Sequence, residues 1–404
     1  MTPPAEPSTY FRKGFGLQSE VRDELAADYD GRVVDLLRSQ DYRLTVGDVT
    51  IRLAREFGFC YGVERAVDYA YQTRRKFPEK RIFLVGEIIH NPHVNDRLRE
   101  MGVEILMRDA GGAFDFRQTG VDDVVILPAF GVTIDDFAAL RDIGCVLVDT
   151  TCGSVLNVWK RVENYARDGF TALIHGKYYH EETRATASQV RKYGDGHYLI
   201  VRHMDEGRLV CDYIEGKMSA ADLMKAFAHA VSLGFDPEVH LRRIGVANQT
   251  TMLARESLAI AEEVGLAIAR ARGEAARATD FRSFDTICSA TQERQDAVRE
   301  LLDEGVDVMV VIGGFNSSNT ISLAALCAEK APAYHIESSS GIDPDRGTIH
   351  YRPAGVQHSE RDAQDWLPEG AVRVGITAGA STPNNKIGDV VARVLATRGL
   401  RAPV

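Results

Sequence analysis

No apolar run in this 404-residue chain approaches the ~18 residues that a membrane-spanning helix needs. The opening stretch, MTPPAEPSTYFRKGFG, also has no apolar signal core. A cytoplasmic protein without membrane insertion is therefore expected. Basic charge is in deficit: 48 Lys and Arg stand against 58 Asp and Glu, a formal net charge of -10. That balance excludes the usual nucleic-acid binder and fits poorly with adhesion to an acidic membrane surface. It leaves room for a local basic pocket that takes an anionic small molecule. No Gly-Lys-Ser/Thr phosphate loop is present, and no low-complexity linker divides the chain. Cysteine is sparse, six residues in all, with no C-x-x-C pair of the kind that builds structural zinc sites. In a reducing cytoplasm these are thiols or metal ligands rather than disulfides.

What is present is an ordinary globular composition, 45% apolar and 26% charged, able to bury a core unaided. Short Val/Ile-rich runs (RIFLVGEII, DVVILPAF, CVLVDTT, FTALIHG, VDVMVVIGG and VRVGITAG) alternate with amphipathic helical stretches. This alternation predicts the α/β class, with parallel strands buried between helices. Before it lies a polar lead-in of about 50 residues, whose 17–40 stretch has helical apolar spacing and predicts a helix packed on the main body.

A weak internal repeat gives the organisation. Three times a strand-like run ends in a cysteine and a helix begins at once: at Cys60 before YGVERAVDYAYQTRR, at Cys152 before GSVLNVWKRVENYARDG, and at Cys288 before SATQERQDAVRELLDEG. Three such units imply three similar domains whose strand ends meet, and carboxyl ends of parallel strands are where open α/β sheets put their chemistry. A cysteine at a helix N-terminus is biased toward thiolate by unpaired N–H groups and the helix dipole. Three thiolates suit an iron–sulfur cluster with one iron left open to substrate, whereas a fourth would favour simple electron transfer. Zinc is the rival metal. Cys145, Cys211 and Cys327 lie in apolar surroundings and read as packing residues.

Two further turns, GGFNSSNT (Gly313 to Thr320) and AGAST around Ser381, join strand-like runs to helices with glycine and hydroxyl groups. They suit phosphate, and Ser317, Ser318, Asn319 and Ser381 are the candidate ligands, with plain helix capping as the alternative. His90 in GEIIHN and His180 in HGKYYHEET follow apolar strands at the same implied edge and are candidate anion binders. Glu182 is a candidate proton donor, its alternative being a solvated surface acid. Thr250 in VANQTTM ends another strand, where capping is the bland role.

In this order GFCYGVERAV, EIIHNPHVNDRL, DTTC, HGKYYHEETRATAS, ANQTTM, ICSATQERQDA, GGFNSSNT and TAGASTP resemble the hydroxymethylbutenyl diphosphate reductase family, from about residue 50 to 395. The resemblance implies three pseudo-threefold-related α/β domains, a cloverleaf around a 4Fe-4S cluster, after a helical N-terminal extension. The expected spans are 1–50 for the extension, then 51–152, 153–285 and 286–395 for the domains, the first strand being shared with the third domain, and 396–404 for a tail. It further implies Cys60, Cys152 and Cys288 as cluster ligands, and His90, His180, Ser317, Ser318, Asn319 and Ser381 as the diphosphate pocket. Glu182 would relay protons and Thr250 would orient the substrate hydroxyl. Ferredoxin or flavodoxin would supply electrons, and isopentenyl and dimethylallyl diphosphates would be the products. Two departures stand out: Phe130 replaces a pocket histidine common in bacterial members, as in the longer plant and cyanobacterial form, and Gly153 follows Cys152 where proline is frequent. Two other classes compete: a lyase or synthase using such a cluster only as a Lewis acid, in the manner of quinolinate synthase, and a non-enzymatic iron–sulfur sensor.

Overall fold

The computed structural model of the protein describes residues 9–109, 112–356 and 359–403. It is an α/β protein, as expected, and forms two compact units: Met1–Tyr10 with Leu106–Cys288, and Phe11–Ile105 with Ser289–Val404. No described helix is long and apolar enough to cross a membrane.

The first unit is built on a parallel sheet in the order Phe281–Ser283, Ile244–Asn248, Thr171–His175, Tyr198–Val201. Every residue of Ile244–Asn248 and of Thr171–His175 is buried, the signature of strands covered on both faces. The register sets Asn248 opposite His175, so both strands end at the same level. Helices Gly153–Arg167 and Ala254–Arg272 supply the covering apolar faces through Val158, Val162, Tyr165, Ile260, Val264 and Ile268. A second parallel pair, Val124–Leu127 with Val146–Asp149, belongs to the same unit and ends three residues before Cys152.

The second unit carries a five-stranded sheet ordered Ala333–Ile336, Val308–Ile312, Val372–Ala378, Val49–Leu53, Arg43–Val46. Its first four strands run parallel and only the edge strand Arg43–Val46 is antiparallel. Strand Val49–Leu53, early in the chain, thus pairs with Val372–Ala378 near its end. A small antiparallel sheet of Ile342–Asp343, Thr348–Tyr351 and Arg361–Gln364 belongs to this unit as well.

The lead-in differs from expectation in one respect. Its 17–40 stretch is not one helix but two, Gln18–Tyr29 and Arg32–Ser39, broken at Asp30–Gly31. The break has a packing cause: a Cβ on Gly31 would sit 2.7 Å from the backbone of Asn384, which only glycine allows. Helix Gln18–Tyr29 is tied to helix Tyr61–Lys76. The Tyr71 hydroxyl donates to Asp28 Oδ2 at 2.6 Å, and Gln72 Oε1 accepts the Phe15 and Leu17 N–H groups at 2.9 and 3.2 Å. Helix Arg32–Ser39 lies on helix Asn384–Ala396, burying Val34 and Leu37 in the second unit's core. Gly31→Val should cost about 1–3 kcal/mol by forcing these backbones apart. Chemical denaturation followed by circular dichroism would show a lowered midpoint, and an unchanged midpoint would refute the packing account.

Candidate active site

In each unit the residues singled out from sequence gather at the carboxyl edge of a parallel sheet. In the first unit, Phe281–Ser283 leads to Cys288, Ile244–Asn248 leads to Thr250, and Thr171–His175 leads to His180 and Glu182. Because these strands are neighbours, their loops are neighbours too. A chain of hydrogen bonds joins them. The Cys288 N–H donates to Thr250 O at 3.3 Å. Thr250 in turn donates its N–H to Glu182 Oε1 at 2.6 Å and its hydroxyl to Glu182 Oε2 at 3.0 Å. Glu182 is only 2% exposed, so it is not the solvated acid that its residue type suggests. Its own N–H donates to Nδ1 of His180, which caps helix Glu181–Ser188. That contact makes Nδ1 an acceptor, which puts the ring proton on Nε2.

The Phe130 ring packs edge-on against His180, centroids 5.6 Å apart. Phe130, noted from the sequence as standing in place of a histidine, thus sets an aromatic wall beside His180. The residue before it, Ala129, accepts the Cys152 N–H at 3.0 Å. Gly153 opens helix Gly153–Arg167 directly after Cys152, so the missing proline does not disturb the helix start.

In the second unit, Val49–Leu53 leads to Cys60, Val372–Ala378 to Ser381, and Val308–Ile312 to Ser317, Ser318 and Asn319. Cys60 sits at the N-cap position of helix Tyr61–Lys76 and donates its N–H to Ala380 O at 3.2 Å. The Ala380 N–H donates to Asn319 Oδ1 at 3.0 Å, and Ser381 donates its hydroxyl to His90 O at 3.1 Å. His90 Nδ1 bonds Glu87 Oε2 at 2.8 Å, an oxygen that also accepts from Asn316 Nδ2 at 3.0 Å. Gly314 is required here, since its Cβ would meet His90 O at 2.6 Å. Ser317 does act as a helix cap, accepting from the N–H and hydroxyl of Thr320 at 3.4 and 3.0 Å. Ser318 differs: its hydroxyl is buried with no hydrogen-bond partner among the described residues. An orphaned hydroxyl in the first turn of an eleven-residue helix, Ser318–Ala328, behind two glycines, is a cradle that an anion would satisfy.

The six cysteines fall into two groups. Cys60, Cys152 and Cys288 are half-buried and each immediately precedes a helix, whereas Cys145, Cys211 and Cys327 are buried. Burial pushes the Cys145 thiol up to about 11 and Cys211 to about 12, and raises Cys327 as well. These three are inert packing groups, as expected, although Cys145 immediately precedes its strand rather than lying within it.

Two contributors escaped the sequence reading. Lys177, inside the HGKYYHEET stretch, donates its N–H to Gln249 Oε1 at 3.0 Å, and burial pushes its amine down to about 8. Tyr10, in the lead-in, donates its hydroxyl to Asp149 Oδ2 at 2.5 Å, while Asp149 Oδ1 accepts the Thr151 N–H at 2.9 Å. The lead-in thereby braces the DTTC turn. Tyr10 sits among polar residues and carries no local pattern that would have flagged it.

The family profile described as LytB protein matches residues 51–395. The chain belongs to the LytB family. Among curated relatives, the 4-hydroxy-3-methylbut-2-enyl diphosphate reductase of Acaryochloris marina is 45% identical over 404 residues, covering 98% of this chain and 95% of that protein. The protein of that name from Thermosynechococcus vestitus is 46% identical over 392 residues, covering 97% and 95%. A solved structure of (E)-4-hydroxy-3-methyl-but-2-enyl diphosphate reductase, the terminal enzyme of the non-mevalonate pathway, aligns with a TM-score of 0.51 at 28% identity, covering 85% of this chain and 98% of that one. The Plasmodium falciparum E-1-hydroxy-2-methyl-but-2-enyl-4-diphosphate reductase shares the fold, with a TM-score of 0.64 at 18% identity, covering 87% and 89%.

For this LytB member, a brief thiol-alkylation pulse on the metal-free native protein should label Cys60, Cys152 and Cys288 and spare Cys145, Cys211 and Cys327 until denaturant is added. Peptide mass spectrometry reads the result. Native labelling of Cys327 on the same timescale would contradict the division.

Proposed function

We propose that the chain reduces 4-hydroxy-3-methylbut-2-enyl diphosphate to isopentenyl and dimethylallyl diphosphates: two electrons and two protons enter, and the hydroxyl leaves as water. Full-length kinship to proteins bearing that activity in their name carries this reading. The GGFNSSNT and HEET runs favour it over a Lewis-acid lyase, and nothing in the described chain resembles the separate output module of a sensor.

Cys60, Cys152 and Cys288 are the proposed ligands of a 4Fe-4S cluster. Their residue chemistry fits: three half-buried thiols, each beside the unpaired N–H groups of a helix start, against three others that burial makes inert. When bound, the cluster would supply the electrons and a Lewis-acidic iron for the substrate hydroxyl. Ferredoxin or flavodoxin is the proposed donor.

The remaining work falls to this chain's own side chains. His180 offers Nε2–H to a phosphate oxygen, because the cap holds its Nδ1 as an acceptor. Ser318 offers its orphaned hydroxyl and Ser317 the hydrogen its capping role leaves unused. His90, Asn319 and Ser381 are the other proposed pocket residues, with Asn319 and Ser381 also holding the loop that positions Cys60. Glu182, buried and accepting hydrogen bonds from Thr250 at both oxygens, is the proposed proton relay, and the Thr250 hydroxyl would pass the proton on or orient the departing oxygen.

The test is anaerobic turnover with a strong one-electron reductant, reading both five-carbon products. Cys152→Ser should abolish product, and Glu182→Gln should lower the rate by ~10²–10⁴-fold while leaving substrate binding within a few-fold. Iron–sulfur absorption without any product would overturn the reductase assignment.

A further inference from the structure

We infer that Arg294 is a positioning residue for the proposed cluster, fixing the loop that presents Cys60 and keeping beside that loop a positive charge which no described carboxylate neutralises. The inference rests on the iron–sulfur reading above.

Arg294 lies in the second turn of helix Ser289–Asp303 and is 3% exposed. Its Nη1 donates to Ala290 O at 2.8 Å, within its own helix. Its Nη2 crosses to the loop before Cys60, donating to Gly58 O at 2.7 Å and reaching Phe57 O at 3.5 Å. Nε is buried without a hydrogen-bond partner among the described residues. The loop is thereby held on both sides, by the guanidinium at Gly58 and by Ala380 O at the Cys60 N–H.

Every acceptor of Arg294 is a neutral carbonyl. Other arginines of the same unit find acids: Arg97 pairs with Asp28 at 2.8 Å, and Arg373 with Asp307 at 2.8 Å. A buried charge without a counter-charge is costly, by several kcal/mol for an ion of this kind, and so is a buried, unpaired N–H. Carbonyl dipoles offset part of that cost but not the charge itself. A cluster held by three thiolates carries net negative charge and gains another on one-electron reduction. It is the anion this site lacks, and a nearby fixed cation favours its reduced form. Lysine in place of Arg294 keeps the charge but cannot serve two carbonyl groups through a planar fork. Methionine keeps the bulk and removes the charge.

The experiment compares wild type, Arg294→Met and Arg294→Lys, purified without oxygen and checked by circular dichroism and by iron and sulfide content. Substrate-free redox titration, followed by electron paramagnetic resonance, gives the midpoint potential. Arg294→Met should be harder to reduce by about tenfold in the reduction equilibrium, ~59 mV for one electron, and Arg294→Lys should recover most of the shift. A folded Arg294→Met protein with full cluster content and the wild-type potential overturns the inference. Should that variant hold no cluster, Arg294→Lys decides: a near wild-type potential supports the role, and a fully shifted one, or loss of the cluster there too, reduces Arg294 to a structural staple and overturns it. Wild-type protein without iron–sulfur absorption would instead refute the proposed function, and the role of Arg294 would fall with it.

Discussion

The pairing of a parallel strand's carboxyl end with the N-terminus of the helix that follows is the constraint on which everything else rests. Parallel strands must be covered on both faces, so each is followed by a helix that crosses back over the sheet. Every such helix then opens at one edge with N–H groups that no residue of its own can satisfy. In both units that edge is where thiols, hydroxyls and imidazoles collect, joined in the first by the buried carboxyl of Glu182. Cys60 and Cys152 occupy the cap position without using their side chains as caps. Ser317 and His180 do use theirs, and in doing so they are oriented: the first keeps a hydroxyl hydrogen to give, the second keeps Nε2–H.

Burial then separates chemistry from packing. Cys327 and Cys60 are the same residue type, yet one is sealed in a helix under a sheet and the other stands half-buried at a helix start. Glu182 is buried as deeply as a core leucine but is satisfied through Thr250, and the Thr250 carbonyl also holds the backbone of Cys288. The acid, the hydroxyl and the proposed ligand therefore form one connected element, and a change at any of them is felt by the others. Asn319 ties the Ser381 loop to the glycine-rich turn in the same manner, with Ala380 serving both Asn319 and Cys60.

Much of this was legible in the sequence because the signals are local. A run such as VDVMVVIGG followed by FNSSNT announces strand, turn and helix within twenty residues, and the three strand–cysteine–helix units repeat that grammar. What escaped depends on distant partners. The helix break at Gly31 is set by the backbone of Asn384, while the apolar spacing of 17–40 runs on across it. Tyr10 matters through Asp149, 139 residues away. Strand Arg361–Gln364, with sequence RDAQ, carries no apolar alternation and pairs only because Thr348–Tyr351 lies beside it. Glu182 was singled out as a proton donor, but its burial under the Thr250 loop was not visible from residue type. Lys177 was in view, but its desolvation was not.

The proposed site is a four-iron cluster held by three thiols at helix N-termini, with a remaining iron that has no protein ligand. Mössbauer spectroscopy of ⁵⁷Fe-labelled protein, prepared without oxygen and recorded before and after substrate is added, tests it most directly. One iron site should be spectroscopically distinct from the three thiolate-bound ones, and that site alone should change when substrate binds. Four equivalent thiolate-bound irons, or a spectrum indifferent to substrate, would contradict it.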